Sequence, residues 1–242
     1  MGSYLVPRLL ARGHDVRVLS RRPAPTVPAG ATAVRGDVRA GVGLDVAAAG
    51  TDAVIHAATS PNRRVKATEV AGTRNILAVA RAAGAHLIYV SIVGVDRNRF
   101  PYYKAKWAAE QVVEASDGRW TILRATQFHD LLDRFFRGRI LPMPRATPFQ
   151  PVHAGDVADR LVDMVEAGPG GRVIDIGGPQ VRTIKDLNES RARITGKKAL
   201  LLPVPKVGFV RDFVAGYHTC PDHAVGRVSW EDWLQTRAGA GG

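Results

Sequence analysis

Two residue pairs in this sequence have types and spacings that could do chemistry. Tyr102 and Lys106 stand four apart in PYYKAKWAAE, which stacks a phenol and an ammonium on one helix face, one turn apart. Tyr103, next door, offers an out-of-register alternative. Arg21 and Arg22 follow the run DVRVLS with no carboxylate beside them. Two guanidiniums there suit a phosphate, where an acidic side chain would suit sugar hydroxyls. Other combinations are weaker. His129-Asp130 reads as a helix cap or solvated turn rather than a dyad. Cys220, with His218 and His223, offers too few ligands for a structural zinc, which needs four, so no metal is expected.

The elements that must position these residues alternate between helix and strand. Ser3 to Arg12 has apolar residues at helical spacing and stops at Gly13. Asp15 to Ser20 and Ala31 to Arg35 read as strands, and Asp52 to Ala58 as a nearly continuous apolar strand, expected where both sheet faces are covered. Val65 to Ala83 reads as a long helix ended by Gly84, His86 to Val93 as a buried strand, Tyr103 to Ser116 as a helix and Trp120 to Arg124 as a strand. Beyond Thr126 prolines punctuate a loop-rich stretch. Asp156 is expected to cap a helix, Val173 to Ile176 to form a short strand and Thr183 to Thr195 a helix, before an aromatic tail with a Gly-rich end. Strands joined by crossover helices predict an α/β fold: a Rossmann-like, doubly wound parallel sheet with a small C-terminal substrate lobe. The division expected is one domain over 1–242, with a nucleotide-binding core over about 1–128 and the lobe drawn from 129–155 and 178–242.

Such a fold normally opens with an apolar strand and a glycine-rich turn leading to a helix that receives a pyrophosphate. This sequence opens with the helix, and Gly2 alone stands where the turn would be. The absent strand would lie mid-sheet, and without it the neighbouring edges stay unpaired, at about 1–3 kcal/mol for each lost buried hydrogen bond. A start site placed too late, or a shortened chain, is the expectation; the alternative is a chain that simply begins with a surface helix. At the end of the second strand of such folds the dinucleotide is chosen, so Arg21 and Arg22 favour the 2′-phosphate of NADP over the free ribose of NAD. Ala57, Ala58 and Thr59 close a later strand with small side chains that let a cofactor approach the backbone.

Composition narrows the class. Of 34 basic residues only seven are lysine, and the arginines behind the net charge of +12 are scattered, without a basic run or interleaved aromatics. Direct nucleic-acid binding is not expected, while a basic surface favours phosphate-bearing ligands. No apolar run reaches the ~20 residues that span a bilayer, and no signal peptide is evident. The single cysteine fits a reducing compartment, so a cytoplasmic protein is expected.

The runs RGHDVRVLSRRP, RGDV, DAVIHAAT, EVAGTRNILAVARAAG, YVSIVGVD, PYYKAKWAAE, WTILRATQFHD, PVHAGDVADRLV and IDIGGP resemble the atypical short-chain dehydrogenase/reductases, and within them the NmrA-like NAD(P)H-binding branch. The resemblance covers essentially the whole chain and implies roles. Asp37, with Val38, would contact the adenine edge. Ser91 would lie close to the cofactor, and Ala125, Thr126, Gln127 and Phe128 would contact the nicotinamide and begin the substrate pocket. Lys106 would bind the nicotinamide ribose and lower the pKa of Tyr102, which would act as general acid. The sequence also departs from the family: Val93 stands where a substrate-orienting serine is expected, and Glu69 replaces a proton-relaying asparagine. The expected protein is an NADPH-dependent reductase of a small carbonyl, enone or quinone-like substrate. The alternative is a non-catalytic NADP(H)-sensing or scaffolding protein. Nothing in the sequence sets the oligomeric state.

Overall fold

The structure, a computed structural model, describes residues 1–58 and 65–239, with 65–68 described by their backbone alone. Two compact units are present. The first comprises Met1–Ser91, Lys104–Leu123 and Ala158–Val173; the second comprises Ile92–Tyr103, Arg124–Val157 and Ile174–Gly242. Residues 92–103 and 124–128, read from sequence as part of the nucleotide-binding core, thus fall in the second unit.

In the first unit, helix α1 (Gly2–Ala11) leads into strand β1 (Val16–Ser20), which pairs in parallel with β2 (Ala31–Arg35). Helix α2 (Leu44–Ala48) follows. A second sheet runs β3 (Ala53–His56), β4 (His86–Ile92), β5 (Trp120–Ala125) and β8 (Gly171–Arg172), with β3/β4 and β5/β8 parallel. Helices α3 (Val65–Ala82), α4 (Pro101–Glu114) and α6 (Ala154–Ala167) alternate with these strands. The core joins Leu44, Ile76, Leu87, Tyr89, Val113 and Ile122, and Leu19 of β1 and Val54 of β3 pack against it. Arg8 on α1 and Arg12 just after it pair with Asp159 and Glu166 on α6.

Between the two sheets the pairing breaks. Among the described residues no backbone hydrogen bond joins β1 to β3. Residues 86–91 of β4 are all buried, whereas no residue of β1 or β2 is. An apolar strand with one unpaired edge is poorly protected. In hydrogen exchange, the β4 amides should therefore be the slowest of the unit and those of β1 slower than free peptide but at least about 100-fold faster than β4. Equal protection of β1 and β4 would contradict the unpaired edge.

The second unit is built on short strands with distant partners. Helix α5 (His129–Arg137) is followed by β6 (Ile140–Pro142), which pairs in parallel with β10 (Leu200–Leu202), and β7 (Pro148–Phe149) pairs antiparallel with β9 (Arg182–Thr183). Helices α7 (Ile184–Thr195), α8 (Gly208–Val214) and α9 (Trp230–Gly239) complete it around a core of Leu132, Phe136, Phe149, Leu187, Phe213, Trp230 and Trp233. Thr183 caps α7 by accepting from the Asp186 N–H at 3.2 Å. Among the described residues no helix is long and apolar enough to cross a membrane.

Two sequence expectations need correction. Asp156 does not cap its helix: α6 starts at Ala154, and the Asp156 carboxylate in its first turn accepts from the N–H groups of Arg227 and Val228 at 2.8 and 3.3 Å. The strand expected at Val173 to Ile176 is displaced to Gly171–Arg172, because Ile174 turns to solvent and only an isolated bridge from Ile176 to Ala125 continues the pairing.

Candidate functional site

The carboxyl end of β1 is followed by a bend in which Ser20 Oγ accepts from the Arg22 N–H at 3.2 Å. That bond turns the chain and leaves Arg21 and Arg22 exposed. At the end of β2, Gly36 and Gly43 let the loop close on itself: a Cβ at Gly36 would meet the Val42 carbonyl, and Gly43 takes φ +71. Within this loop Asp37 Oδ1 accepts from the N–H groups of Arg39 and Ala40 at 2.8 and 3.4 Å, so the carboxylate shapes its own turn. The Val38 carbonyl accepts from Asn75 Nδ2 at 2.9 Å, which ties the loop to α3. Ala57 and Ala58 follow β3, half-buried and exposed; Thr59 lies outside the described residues. Gly2 is exposed at the start of α1.

Deeper in the same unit lies a charged cluster. Lys106 is buried, and its Nζ donates to the Val90 carbonyl at 2.8 Å, lies 4.1 Å from the centre of the Tyr89 ring and 3.7 Å from Glu69 Oε2. His56 packs on Tyr89 with ring centres 5.4 Å apart. Burial, then the Lys106 charge, pushes the His56 pKa down to about 3. Burial and then the Glu69 charge hold the Tyr89 phenol well above its ordinary range. Ser91 is buried at the end of β4, and its Oγ has no hydrogen-bond partner among the described residues. The sequence marks Glu69 only as a departure from the family and does not single out His56 or Tyr89. A histidine within the apolar run DAVIHAA is the one available signal.

In the second unit, Ala125, Thr126 and Gln127 are buried and serve the scaffold. Thr126 Oγ1 donates to the Gln150 carbonyl at 2.5 Å and accepts from the Gly178 N–H at 3.3 Å; Gln127 Nε2 donates to the His218 carbonyl at 2.9 Å. Phe128 is the N-cap residue of α5. Tyr103 is buried among Phe100 and Phe213, and burial lifts its phenol far above the ordinary range, although a hydrogen bond to Gln127 opposes this. Tyr102 is half-buried and is the more accessible phenol of the two. Val93 is buried, so the hydroxyl expected there is replaced by core packing. His129 is buried against Trp230 and Trp233 while Asp130 pairs with Arg237 at 2.6 Å, so the two point to different partners.

A family profile described as NAD(P)H-binding matches residues 1–167. The chain belongs to this NAD(P)H-binding family. Its fold is Rossmann-like, as in the solved structures it resembles. Among curated proteins, a 3-beta-hydroxysteroid dehydrogenase of Mycolicibacterium neoaurum is 29% identical over 145 residues, covering 54% of this chain and 36% of that protein. The match thus spans about a third of the dehydrogenase. Among solved structures, MoeE5 in complex with UDP-glucuronic acid and NAD superposes with a TM-score of 0.76 at 19% identity, covering 98% and 94% of the two chains. The UDP-glucose 4-epimerase of Thermus thermophilus, in complex with NAD, gives 0.73 at 18% over the same shares. A short-chain dehydrogenase/reductase superfamily protein from Agrobacterium tumefaciens with bound NAD gives 0.72 at 20%, covering 99% and 93%. At these identities the likeness is one of fold.

The NAD(P)H-binding family member offers its cofactor an uneven fit. Arg21 and Arg22 are exposed after β1, have no acidic neighbour in sequence and present two guanidiniums that suit an anionic group. Lys106, turned toward Val90 and Glu69, has its ammonium engaged by the protein itself.

Proposed function

We propose that this protein binds NADP(H) in preference to NAD(H) and uses it to reduce a small carbonyl, enone or quinone-like compound. The observation that carries the reading is the exposed guanidinium pair after β1, in a position without a carboxylate. When bound, the nicotinamide supplies the hydride. The chain's own part is to hold the adenosine phosphate through Arg21 and Arg22, to present a cation through Lys106, and to give a proton from Tyr102 to the substrate oxygen. Of the adjacent phenols, Tyr102 suits that role because Tyr103 is buried and its phenol is pushed far up.

Titration calorimetry of NADP+ and NAD+ against this chain tests the binding half: NADP+ should bind at least about tenfold tighter. Equal affinity would favour the NAD chemistry of the structural neighbours, two of which are named for nucleotide-sugar complexes or epimerisation. The catalytic half is tested by Tyr102→Phe, which should cut NADPH oxidation across a carbonyl and quinone panel by about 100-fold or more with cofactor affinity unchanged. Unchanged turnover removes Tyr102 from the chemistry.

A second reading has its own support. The inward engagement of Lys106 with Glu69 and the loss of a hydroxyl at Val93 suit a protein that senses NADP(H) without turnover. Equal, tight binding of NADP+ and NADPH with no oxidation on that panel would establish it.

A further inference from the structure

Glu69 has no part in the chemistry above, yet α3 carries it into the buried interior of the first unit. Its Oε2 lies 3.7 Å from Lys106 Nζ, with the two side chains 2% and 4% exposed. Two uncharged groups also face the ammonium. The Val90 carbonyl accepts from it at 2.8 Å and the Tyr89 ring lies beneath it at 4.1 Å. His56, packed on Tyr89, is held neutral by burial and by the Lys106 charge. Glu110, one turn beyond Lys106 on α4, is wholly buried and lies 3.2 Å from the Arg172 guanidinium, so a second cation shares its charge. Arg172 also pairs with Glu114.

Withdrawing an ammonium from water costs several kcal/mol unless an opposite charge compensates it. A carbonyl dipole and an aromatic face recover part of this. Glu69 supplies the full negative charge. At 3.7 Å the carboxylate is too far to accept a strong hydrogen bond and acts through its charge. An uncharged amide of equal size would keep the shape of the site and lose that effect.

We infer that Glu69 is the positioning residue for Lys106, its buried carboxylate holding the ammonium against the Val90 carbonyl at the end of β4. The inference rests on the reading of Lys106 as the cation offered to the cofactor. It explains why a carboxylate occupies the place where the family resemblance implies an asparagine: here the lysine is steadied by direct charge. It also makes Lys106 a poor target for isolated substitution, because removing the cation strands Glu69.

The test separates the pair from the cofactor. In protein labelled at lysine Cε, with Lys106 assigned by its absence from the Glu69→Gln/Lys106→Met double variant, the Lys106 resonance is followed by NMR from pH 6 to 11 in the parent, in Glu69→Gln and in Glu69→Asp. The midpoint in Glu69→Gln should fall by about one pH unit or more, and Glu69→Asp should restore most of the difference. An unchanged midpoint in Glu69→Gln overturns the inference. NADP+ affinity, measured in parallel over the same pH range, should begin to weaken about one pH unit lower in Glu69→Gln than in the parent, following the Lys106 midpoint. A shifted midpoint with an affinity profile identical to the parent's upholds Glu69 and overturns Lys106 as a cofactor contact. If Glu69→Gln fails to fold, the double variant Glu69→Gln/Lys106→Met should recover the parent's thermal unfolding to within a few degrees. Failure of the double variant as well overturns the pairing.

Discussion

Replacing Arg21 and Arg22 together by alanine should lower NADP+ affinity by about 100-fold while changing NAD+ affinity less than about threefold. The two cofactors differ by one phosphate, so only contacts to that phosphate separate them. A charge-assisted hydrogen bond is worth about 1.5–3 kcal/mol, and exposure to solvent takes the lower end of that range. Two such contacts at about 1.4 kcal/mol per tenfold give the 100-fold figure. Each single variant should lose about tenfold, and a lysine at either place should recover only part, because an ammonium lacks the planar fork. Both side chains are exposed, so thermal stability should be unaffected by the double change. Calorimetry with both cofactors decides it. Parallel losses for NAD+ and NADP+ would make the pair a general phosphate contact, and no loss for either would make it a solvated turn.

The legibility of this protein in its sequence follows the length of its elements. Strand Ala31–Arg35 is legible to the residue, and α3 and β4 to within one, because each has a sustained apolar period or a glycine stop such as Gly84 at φ +66. Strands β6, β7, β9 and β10 escape a sequence reading because each has two or three residues and its partner lies far along the chain. No local period exists at that length. The candidate site divides in the same way. The exposure of Arg21 and Arg22 is legible from their place after an alternating strand. The burial of Thr126 and Gln127 is not, since their bonds run to the Gln150 carbonyl, Gly178 and His218, which no local pattern announces. The Lys106–Glu69 pair is equally hidden, because it joins α3 to α4 across a strand.

That hidden pair bears on how the two readings of function should be weighed. A lysine that donates inward can serve a bound ribose only while its ammonium stays ordered, and Glu69 supplies that order at a desolvation cost. The same contact therefore suits either a preorganised reductase or a sensor in which the cation never meets substrate. Binding measurements alone leave both readings intact. Turnover by the Tyr102→Phe variant against the parent divides them, since only the reductase needs that proton.

Acid should destabilise this protein well above the pH at which carboxylates titrate. Burial pushes the pKa of His56 and of His218 down to about 3 and that of His129 to about 4, against an unfolded value of 6.5. The Lys106 charge is a second cause at His56, and His153 at His129. Each ring stays neutral in the folded chain, while the unfolded chain takes up a proton as pH drops below 6.5, so stability rises with pH between those values. The contribution is complete above pH 6.5 and is lost on the way down toward the folded values. At pH 5 each histidine forfeits about 2 kcal/mol at 1.36 kcal/mol per pH unit, roughly 6 kcal/mol for the three. A domain of ordinary stability, about 5–15 kcal/mol, would lose much of its margin there. The carboxylates of Asp186 and Asp212 are held below their ordinary range by Thr183 and Arg99 respectively, so their contribution disappears only at lower pH. Urea unfolding at half-unit steps from pH 7.5 to 4.5 should show the free energy falling by up to about three protons' worth per pH unit below 6. His218, packed edge-on against Phe149 and Phe213 with ring centres at 4.8 and 4.7 Å, is the cleanest place to remove one. His218→Leu should flatten the slope by about one proton, or 1.36 kcal/mol per pH unit, whatever its effect at pH 7. A slope unchanged by that substitution would mean that His218 takes up its proton in the folded chain as readily as in the unfolded one.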